Sequence, residues 1–565
     1  MPRSSQLASD RPPASTDVLV VGFGPVGAAL ACLLGRYGVS TVVVDKADGI
    51  LMHPRAIALD NEGQRVLQLA GLADDAFEKL AVRECRLQSP WFGEFARFTT
   101  TGVVDGYARL VSFYQPDMER ALRKEAANHK SVSAFGGIEM LGFSESQDEI
   151  ATTLRLHDGA TTEVRSRYLL GADGAGSLVR KLIGQDFRGT SYAQDWLIVD
   201  ATGCPQRMDH IDFHCRKNGA RPHIPAPGGR QRWEFMLEAG QSPERMDSDE
   251  EIRRLLAPWG NVSTMQIERR AVYRFHARCC ERFQRGRVFL VGDAAHITPP
   301  FAGQGLMSGL RDAANLCWKL AWVLQGRANS RVLDSYDTER RPHAKAMIDL
   351  ARKMGAIIMP VQPLKAFLLH GTLRLLRTIG PVRRSLEDMR IKPTPNFHEG
   401  LFVSATRRAF RLAAGGRRLE RGGLLPQALV RDAHGITRLS DDVLGGHLTL
   451  VGFGVDPREG LHSDEQRRWL AAGGNFVQFA RRGQVSVSTQ FSCEDLTGLL
   501  VPGAAPPGWI AVVRPDRTVL HDGQASDVTK IVAESLSLLG VPHGDERRAA
   551  LHRPLAGEQL HGATP

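Results

Sequence analysis

Three glycines spaced as Gly-x-Gly-x-x-Gly, at Gly22, Gly24 and Gly27, follow an apolar run rich in valine and precede a stretch rich in alanine and leucine. This order predicts a β-strand, a tight turn and an α-helix, which together begin a dinucleotide-binding fold. Gly22 permits the turn, Gly24 lets the backbone approach a pyrophosphate, and Gly27 lets the helix pack on the strand. The helix start at Pro25 and Val26 would present N–H groups and positive dipole to the phosphates.

An acidic residue stands where this fold needs one. The next predicted strand, residues 41–44, ends at Asp45 and Lys46. Asp45 is placed to accept hydrogen bonds from a ribose 2′-hydroxyl, which favours FAD or NAD over NADP. The alternative that residues 18–35 span a membrane is disfavoured, because a spanning helix needs about 20 apolar residues without this density of glycine and proline. The first motif leaves FAD and NAD both open.

Two later segments each place a carboxylate after a short apolar strand. Residues 168–170 lead into Gly-Ala-Asp-Gly-Ala-Gly-Ser, which contains Asp173, and residues 287–291 lead into Gly292 and Asp293. Open α/β sheets bind their ligands at the carboxyl ends of the strands. Both acids are therefore predicted to lie at the edge where the glycine turn also lies.

In these three segments the chain resembles the class A single-component flavoprotein monooxygenases, typified by p-hydroxybenzoate hydroxylase and phenol hydroxylase. Residues 17–350 resemble the 3-(3-hydroxyphenyl)propionate hydroxylases in particular. The resemblance implies an FAD-dependent enzyme that takes electrons from NADH or NADPH, bound transiently, and hydroxylates a phenolic ring with O2 through a flavin C4a-hydroperoxide. A carboxylate-bearing phenol is the expected substrate.

The same resemblance assigns cofactor contacts. Asp173 would lie near the pyrophosphate and take part in NAD(P)H handling, Asp293 would hold the ribitol chain, and Gln115 and Arg55 would lie beside FAD. Met307 stands where the family usually has Asn, so only a backbone contact to the flavin carries over to this position. The full set of cofactor residues is Gly22, Gly24, Pro25, Val26, Gly27, Asp45, Lys46, Arg55, Gln115, Asp173, Gly292, Asp293, Pro300, Gly303, Gly305, Leu306 and Met307.

Two residues are predicted to act in catalysis. Asp60 matches an acid that phenol hydroxylase points at the phenolic oxygen, where it would act as a base or an orienting partner. The alternative is that Asp60 caps the helix beginning at Asn61 or Glu62, and both interpretations remain open. Pro300 matches a proline against the flavin ring, and His296 matches a structural position.

Six further residues are candidates for stacking on the substrate ring, contacting its phenol group or binding its carboxylate. Each of them can instead be a packing residue of a sheet. They are Tyr114, Tyr192, His214, His223, Trp233 and Arg274.

The predicted fold class is α/β with three parts. An FAD-binding Rossmann-like domain takes residues 17–85, 114–186 and 276–394, after a disordered tail at residues 1–16. Alternating apolar and polar residues predict an antiparallel substrate domain from residues 86–113 and 187–275, in which Trp233 and Phe235 share a face. Residues 395–565 resemble a thioredoxin-like domain, but Cys493 is their only cysteine, so no CxxC dithiol is present.

The cysteine spacing and the net charge limit the kinds of ligand and partner that the chain is expected to bind. The eight cysteines form no CxxC pair or metal-ligand spacing, which predicts reduced structural thiols and no metal site. The net charge of +10 is spread along the chain and interleaved with acids, which disfavours nucleic-acid binding and suits attraction of NAD(P)H and an anionic substrate.

With neither a secretory signal nor a membrane anchor apparent, a cytoplasmic location is expected, with a homodimer as one assembly state. The alternatives left open are hydroxylation of a hydroxyquinoline, an aminobenzoate or a polyketide, a flavoprotein reductase that does not use O2, and a docking flavoprotein.

Overall fold

The computed structural model describes residues 11–540, except 53, 207, 217–218, 239, 360–361, 382, 384–392, 394, 405–418 and 485–490. Two compact units divide the chain. The first takes Met1–Cys317 and Tyr336–Phe397, and the second takes Trp318–Ser335 and His398–Pro565. Most of the predicted tail, residues 1–10, lies outside the described residues, and the first strand begins at Ser15, two residues before the predicted domain start.

The first sheet has a parallel centre that brings the three predicted motifs together. Its order is Val132–Phe135, Thr41–Val44, Ser15–Val21, Thr161–Gly171, Ile150–Arg155 and Glu139–Glu145; Val288–Leu290 also pairs in parallel with Thr161–Gly171, and Gln284–Arg285 pairs with Val288–Leu290. Val18, Leu19 and Val20 are fully buried, as expected for a parallel strand covered on both faces. Val21 pairs with Gly171, and Gly171 pairs with Leu290, so all three motifs leave the sheet at one edge.

A second, largely antiparallel sheet belongs to the same unit. Its order is His296–Ile297, Gln266–Cys280, Phe187–Thr202, Gln231–Met236, Gly219–Pro225, Ile211–Arg216, Glu84–Ser89 and Gly93–Thr99. The strand Leu110–Phe113, which was predicted to lie in the substrate domain, instead pairs with Ala58–Asp60 and Lys79–Ala81 in a separate small sheet. Val103–Val104 and Tyr107–Ala108 form a two-stranded ribbon.

The following helices of the described residues lie wholly or mostly in the first unit. They are Pro25–Arg36, Asn61–Leu69, Gln115–Ala127, Leu178–Leu182, Pro243–Met246, Asp249–Leu256, Gly305–Leu324, Ser335–Ile358 and Pro363–Leu376. The end of Gly305–Leu324, from Trp318, belongs to the second unit. Ser335, the first residue of Ser335–Ile358, is the last residue of the second unit's first segment. No single helix of the described residues is long and apolar enough to cross a membrane; the bent pair Ser330–Ile358 and Pro363–Leu376 passes that test only when taken together.

The second unit is built on one mixed sheet. Its order is Thr437–Leu439, Leu429–Asp432, Ser492–Asp495, Gly474–Arg481, Leu448–Phe453, Trp509–Val513 and Val519–Gln524, with helices Ser440–Leu444, Ser463–Ala471 and Val528–Leu539. Leu448–Phe453 and Gly474–Arg481 pair in parallel at the centre of this sheet. That the unit is thioredoxin-like stays a prediction.

All eight cysteines are free, and seven of them are buried. Burial raises the pKa of Cys32, Cys85 and Cys215 to about 12. Cys279 and Cys280 end the same strand, and burial raises the pKa of each to about 12. The thiols are therefore protonated structural groups at neutral pH.

A buried charge network fixes the helix Gly305–Leu324 to the third motif. Asp312 accepts hydrogen bonds from the Gly292 amide (3.1 Å), from His296 Nε2 (2.7 Å) and from Arg340 Nε (2.8 Å). Burial alone would raise the pKa of Asp312, but His296 and Arg340 outweigh it and hold the pKa below its ordinary value. His296 is fully buried in this network, and its structural role stays a prediction.

Replacing Asp312 by asparagine would leave the Arg340 guanidinium buried without its counter-charge. We expect Asp312→Asn to lower the free energy of unfolding by about 3–5 kcal/mol, measured by urea titration followed by far-UV circular dichroism. Asp349→Asn is the control, because Asp349 pairs with Arg352 at the surface, where a pair contributes about 0–1 kcal/mol. Equal losses in the two variants would contradict the assignment.

Candidate active site

The glycine turn packs tightly against neighbouring backbone. Gly22 has φ +103°, and a Cβ on it would lie 2.3 Å from the Ala172 carbonyl oxygen. A Cβ on Gly27 would lie 1.9 Å from the Gly22 carbonyl oxygen, whereas one on Gly24 would meet nothing within 4 Å. Gly22 and Gly27 are thus demanded by packing, and Gly24 leaves its backbone open to a ligand.

The helix that follows the turn has no negative side chain at its N-terminus. Pro25 is its first residue, its first turn carries no acidic residue, and no side chain caps it. The first-turn N–H groups therefore keep their partial positive charge for an external acceptor. Val26 is half-buried at the same place.

Asp45 holds the turn from the neighbouring strand. Its carboxylate accepts hydrogen bonds from the Phe23 amide (2.6 Å) and the Ala47 amide (2.8 Å). It lies where the sequence predicted the ribose acceptor, at the end of Thr41–Val44, while Lys46 beside it is exposed. The ribose contact itself stays a prediction.

Only one carboxylate oxygen of Asp173 accepts hydrogen bonds from the described residues. Oδ2 accepts hydrogen bonds from the amides of Leu178 (2.7 Å) and Val179 (3.2 Å), so it caps a short helix. Oδ1 is buried and has no hydrogen-bond partner among the described residues. Arg180 then joins this turn to the third motif, donating to Ala175 O (2.9 Å) and Ala294 O (3.1 Å). No sequence pattern predicted that bridge.

Arg55, Gln115 and Asp293 lie close together, and their contacts to FAD stay a prediction. Gln115 Oε1 accepts hydrogen bonds from the amides of Arg55 and Ala56, both at 2.9 Å. The Arg55 guanidinium lies 3.5 Å from Asp293 Oδ2. Although 37 % of the Asp293 side chain is accessible, dense surrounding protein desolvates it and raises its pKa, against the pull of Arg55.

The third motif packs tightly on the first. A Cβ on Gly292 would lie 3.2 Å from Val26 Cγ2, and one on Gly309 would lie 2.6 Å from the same atom. Pro300 and Gly303 are exposed, and Gly305 and Leu306 are half-buried, so this segment presents backbone at the open edge. The residues available for a flat ligand here are Pro300, Gly303, Gly305 and Leu306.

Met307 faces inward. Its side chain is 1 % exposed, and a Cβ on Gly63 would lie 3.1 Å from Met307 Cγ. The side chain thus packs on the helix Asn61–Leu69 and not at the open edge. This agrees with a position that can offer a ligand only its backbone.

Asp60 is the N-cap of the helix Asn61–Leu69. Its Oδ1 accepts a hydrogen bond from the Gly63 amide (2.8 Å), as the helix-capping alternative predicted. Its Oδ2 accepts hydrogen bonds from Gln304 Nε2 (3.2 Å) and Arg311 (3.1 Å). The carboxylate thus also reaches the segment after Pro300, and its catalytic role stays a prediction.

Three of the six substrate candidates belong to a packed aromatic cluster. Trp233 is fully buried and stacks on His223 (4.7 Å between ring centroids), while His214 contacts Trp259 (6.1 Å). Trp233 and Phe235 share this core, as the alternating pattern predicted. Burial lowers the pKa of His223 to about 4, so the ring is neutral at pH 7.

The other three candidates lie apart from these. Tyr192 contacts Phe301 (5.5 Å between centroids) and belongs to an apolar cluster with Trp196 and Phe275. Tyr114 precedes the helix Gln115–Ala127 under the Arg230 guanidinium (4.3 Å).

Arg274 is half exposed and makes a bidentate pair with Asp195 on the neighbouring strand, both contacts at 2.8 Å. The six candidates therefore do not converge on one point, and Tyr192 is the one beside the residue that follows Pro300.

Groups of three or more metal-ligating side chains are absent from the part of the chain that the structure describes.

Known proteins match nearly the whole chain. A family model described as an FAD binding domain matches residues 15–351, and one described as an HcaD C-terminal domain matches residues 422–537. The 3-(3-hydroxy-phenyl)propionate/3-hydroxycinnamic acid hydroxylase of Burkholderia cenocepacia is 36 % identical over 535 residues, covering 92 % of this chain and 96 % of the relative. The enzyme of the same name from Escherichia coli strain 55989 is 32 % identical over 545 residues, covering 94 % and 96 %.

Solved structures share the fold at lower identity. The flavin-dependent monooxygenase PieE, in complex with FAD and substrate, has a TM-score of 0.77 at 21 % identity and covers 94 % of this chain and 100 % of its own. Aklavinone-11 hydroxylase, in a ternary complex with FAD and aklavinone, has a TM-score of 0.71 at 21 % identity, covering 93 % and 100 %.

The buried His223 makes stability depend on pH. Because its folded pKa of about 4 lies below the unfolded value, the unfolded state binds more protons as pH falls from about 6.5 towards 4, and folding loses free energy in that window. Between pH 7 and pH 5 we expect this residue to cost about 2 kcal/mol. Urea titrations should show that loss removed in His223→Gln and retained in the control His157→Gln, whose ring is exposed; an unchanged pH dependence in His223→Gln would contradict the assignment.

Proposed function

Since this chain belongs to the FAD-binding-domain family and is an FAD-dependent aromatic hydroxylase, we propose that it hydroxylates a phenol carrying a carboxylate side chain, of the 3-(3-hydroxyphenyl)propionate kind, with NAD(P)H and O2. The observation that carries the proposal is the identity of 32–36 % to the named hydroxylases over more than nine-tenths of their length. The eight free cysteines suit a reducing compartment, so we place the enzyme in the cytoplasm.

The residues fit FAD. Gly24 offers open backbone at a helix start that carries no acid, which suits a pyrophosphate. Asp173 Oδ1 is buried and finds no hydrogen-bond partner within the described part of the chain, which is a costly state that a donor on the cofactor would relieve. Within the proposed site, Gly22–Gly27 would hold the pyrophosphate, Asp45 a ribose, Asp293 the ribitol, and the segment from Pro300 to Met307 the flavin ring.

Bound FAD would accept a hydride from NAD(P)H and enable transfer of one oxygen atom from O2 to the phenol. The protein supplies position and charge. The N-terminus of Gly305–Leu324 presents backbone N–H groups that stabilise negative charge beside it, and Arg55 adds a cation next to Asp293.

An apolar cluster next to Pro300 suits the aromatic ring of the substrate. Phe301, Trp196 and Phe275 pack with centroids 5.1–5.9 Å apart, and Tyr192 adds a half-buried hydroxyl beside them. Such a wall excludes water from the reacting atoms. We place the phenol ring against this cluster, with Tyr192 as its neighbouring polar group.

Asp60 is proposed as the group that orients the phenol. Its hydrogen bonds to Gln304 and Arg311 hold the carboxylate in a fixed position, which suits electrostatic orientation of the substrate.

A panel of phenols tests the function. The purified FAD-bound enzyme is assayed for oxidation of NADH and of NADPH with 3-(3-hydroxyphenyl)propionate, 3-hydroxycinnamate, phenol and 3-ethylphenol, and products are identified by mass. We expect stimulation and a product with one added oxygen, with a KM about tenfold lower for the carboxylated compounds, because the carboxylate adds a charge-assisted hydrogen bond. If every phenol yields only hydrogen peroxide, or if the carboxylate leaves KM unchanged, the substrate proposal fails.

Asp60→Asn separates the two roles of that residue. Asparagine caps a helix as well as aspartate does, so the variant should fold and bind FAD normally. If the charge orients the phenol, substrate-stimulated NAD(P)H oxidation continues while product per NAD(P)H falls about tenfold or more and hydrogen peroxide takes its place. Full product yield in Asp60→Asn would leave Asp60 with the cap alone.

A further inference from the structure

A row of three charged side chains crosses the middle of the antiparallel sheet. Asp200 on the strand Phe187–Thr202 stands in register between Arg232 and Arg269 on the two flanking strands. Arg232 Nε and one terminal nitrogen reach the two Asp200 oxygens at 2.7 and 2.9 Å, and Arg269 lies 3.3 Å from Oδ2. The side chains are 2 %, 9 % and 3 % exposed for Arg232, Asp200 and Arg269. We call them the Arg–Asp–Arg row.

The remaining guanidinium donors of the row bind main-chain carbonyls of one loop. Arg232 donates to Pro54 O and Arg55 O, both at 3.0 Å, and Arg269 also donates to Pro54 O. From the other side, Gln115 accepts the amides of Arg55 and Ala56. Four successive backbone groups of this loop, from Pro54 O to Ala56 N, are thus held by side chains and not by the backbone of a neighbouring strand.

The loop carries the cation of the site. The Arg55 side chain is 66 % exposed and leaves this fixed backbone towards Asp293, 3.5 Å away. A long, exposed side chain has much rotational freedom, so where its backbone is anchored decides where its charge can lie. The row and Gln115 supply that anchor.

We propose that Arg232 and Arg269, held by Asp200, are positioning residues that set Arg55 against Asp293, so that the antiparallel sheet determines the geometry of the cation at the flavin. The inference rests on the proposed function only in naming flavin as what Arg55 lies beside. Neither arginine touches the reacting atoms.

A competing role for the row is binding of the substrate carboxylate. The contacts argue against it, because both guanidiniums are almost fully buried and their terminal nitrogens are already bonded to Asp200, to the loop carbonyls and to Tyr273. Stability alone is also a weak reason for such a row, since buried ion pairs are often replaceable by apolar residues without loss. Simultaneous recognition of a carboxylate and two carbonyls is a task for the planar guanidinium fork, and lysine cannot perform it.

A double-mutant cycle tests whether Arg232 acts through Arg55. FAD affinity is measured by flavin fluorescence titration for the wild type, Arg232→Lys, Arg55→Ala and the double variant. We expect Arg232→Lys to weaken FAD binding about tenfold when Arg55 is present and less than twofold when it is alanine, because neighbours that act as a unit are not additive. Equal effects in the two backgrounds would overturn the proposal. Arg269→Lys repeats the cycle should Arg232→Lys fail to fold.

Hydrogen exchange of the FAD-free protein supplies a readout independent of the flavin. We expect the amides of Arg55 and Ala56 to exchange at least tenfold faster in Arg232→Lys, because the carbonyls of Pro54 and Arg55 lose the guanidinium that donates to them. Arg270→Lys is the control, since Arg270 follows Arg269 on the strand Gln266–Cys280 and pairs with Asp249 at the surface. Unchanged exchange in Arg232→Lys would overturn the anchoring. If the wild-type protein binds no FAD and Arg232→Lys still exchanges faster, the proposed function fails and the anchoring stands.

Discussion

Contact between backbones at glycine is the constraint on which the site depends. Three segments separated by more than a hundred residues leave one parallel sheet in register and then pack closely, because glycine brings no side chain to the contacts. Gly22 lies on Ala172, and Gly292 and Gly309 lie on Val26. A methyl group at Gly22, Gly27 or Gly309 would come within 2.6 Å of a neighbouring atom or closer, so the dense packing of these turns is incompatible with other residues.

Around these contacts the polar residues mostly bind main chain. Asp45, Asp173 and Gln115 each accept backbone amides, and Arg180 and Arg232 each donate to carbonyls of two different residues. Loops cannot satisfy their own backbone groups as helices and strands do, so buried side chains must do it. The groups that fix the loops are therefore adjacent to those proposed to hold the cofactor, and in Asp173 one carboxylate serves both purposes with different oxygens.

The sequence was informative wherever a local pattern determines local structure. The glycine spacing, Asp45 after its strand and the cap at Asp60 each depend on residues within a few positions. That Gln115 and Arg55 lie beside the same cofactor was expected only from the resemblance, since the two are 60 residues apart. What sequence could not supply is strand order: alternation indicates which side chains share a face but not which strands are neighbours. For that reason Arg274 was proposed as a carboxylate ligand although Asp195 lies across from it, and the row of Arg232, Asp200 and Arg269 went unnoticed.

The buried cysteines have a consequence for an enzyme that handles oxygen. Oxidation begins from the thiolate, and burial keeps these sulfurs protonated far above neutral pH. Hydrogen peroxide released in an unproductive cycle would thus meet few nucleophilic sulfur atoms in this polypeptide. Burial therefore disfavours thiol oxidation by peroxide at these cysteines.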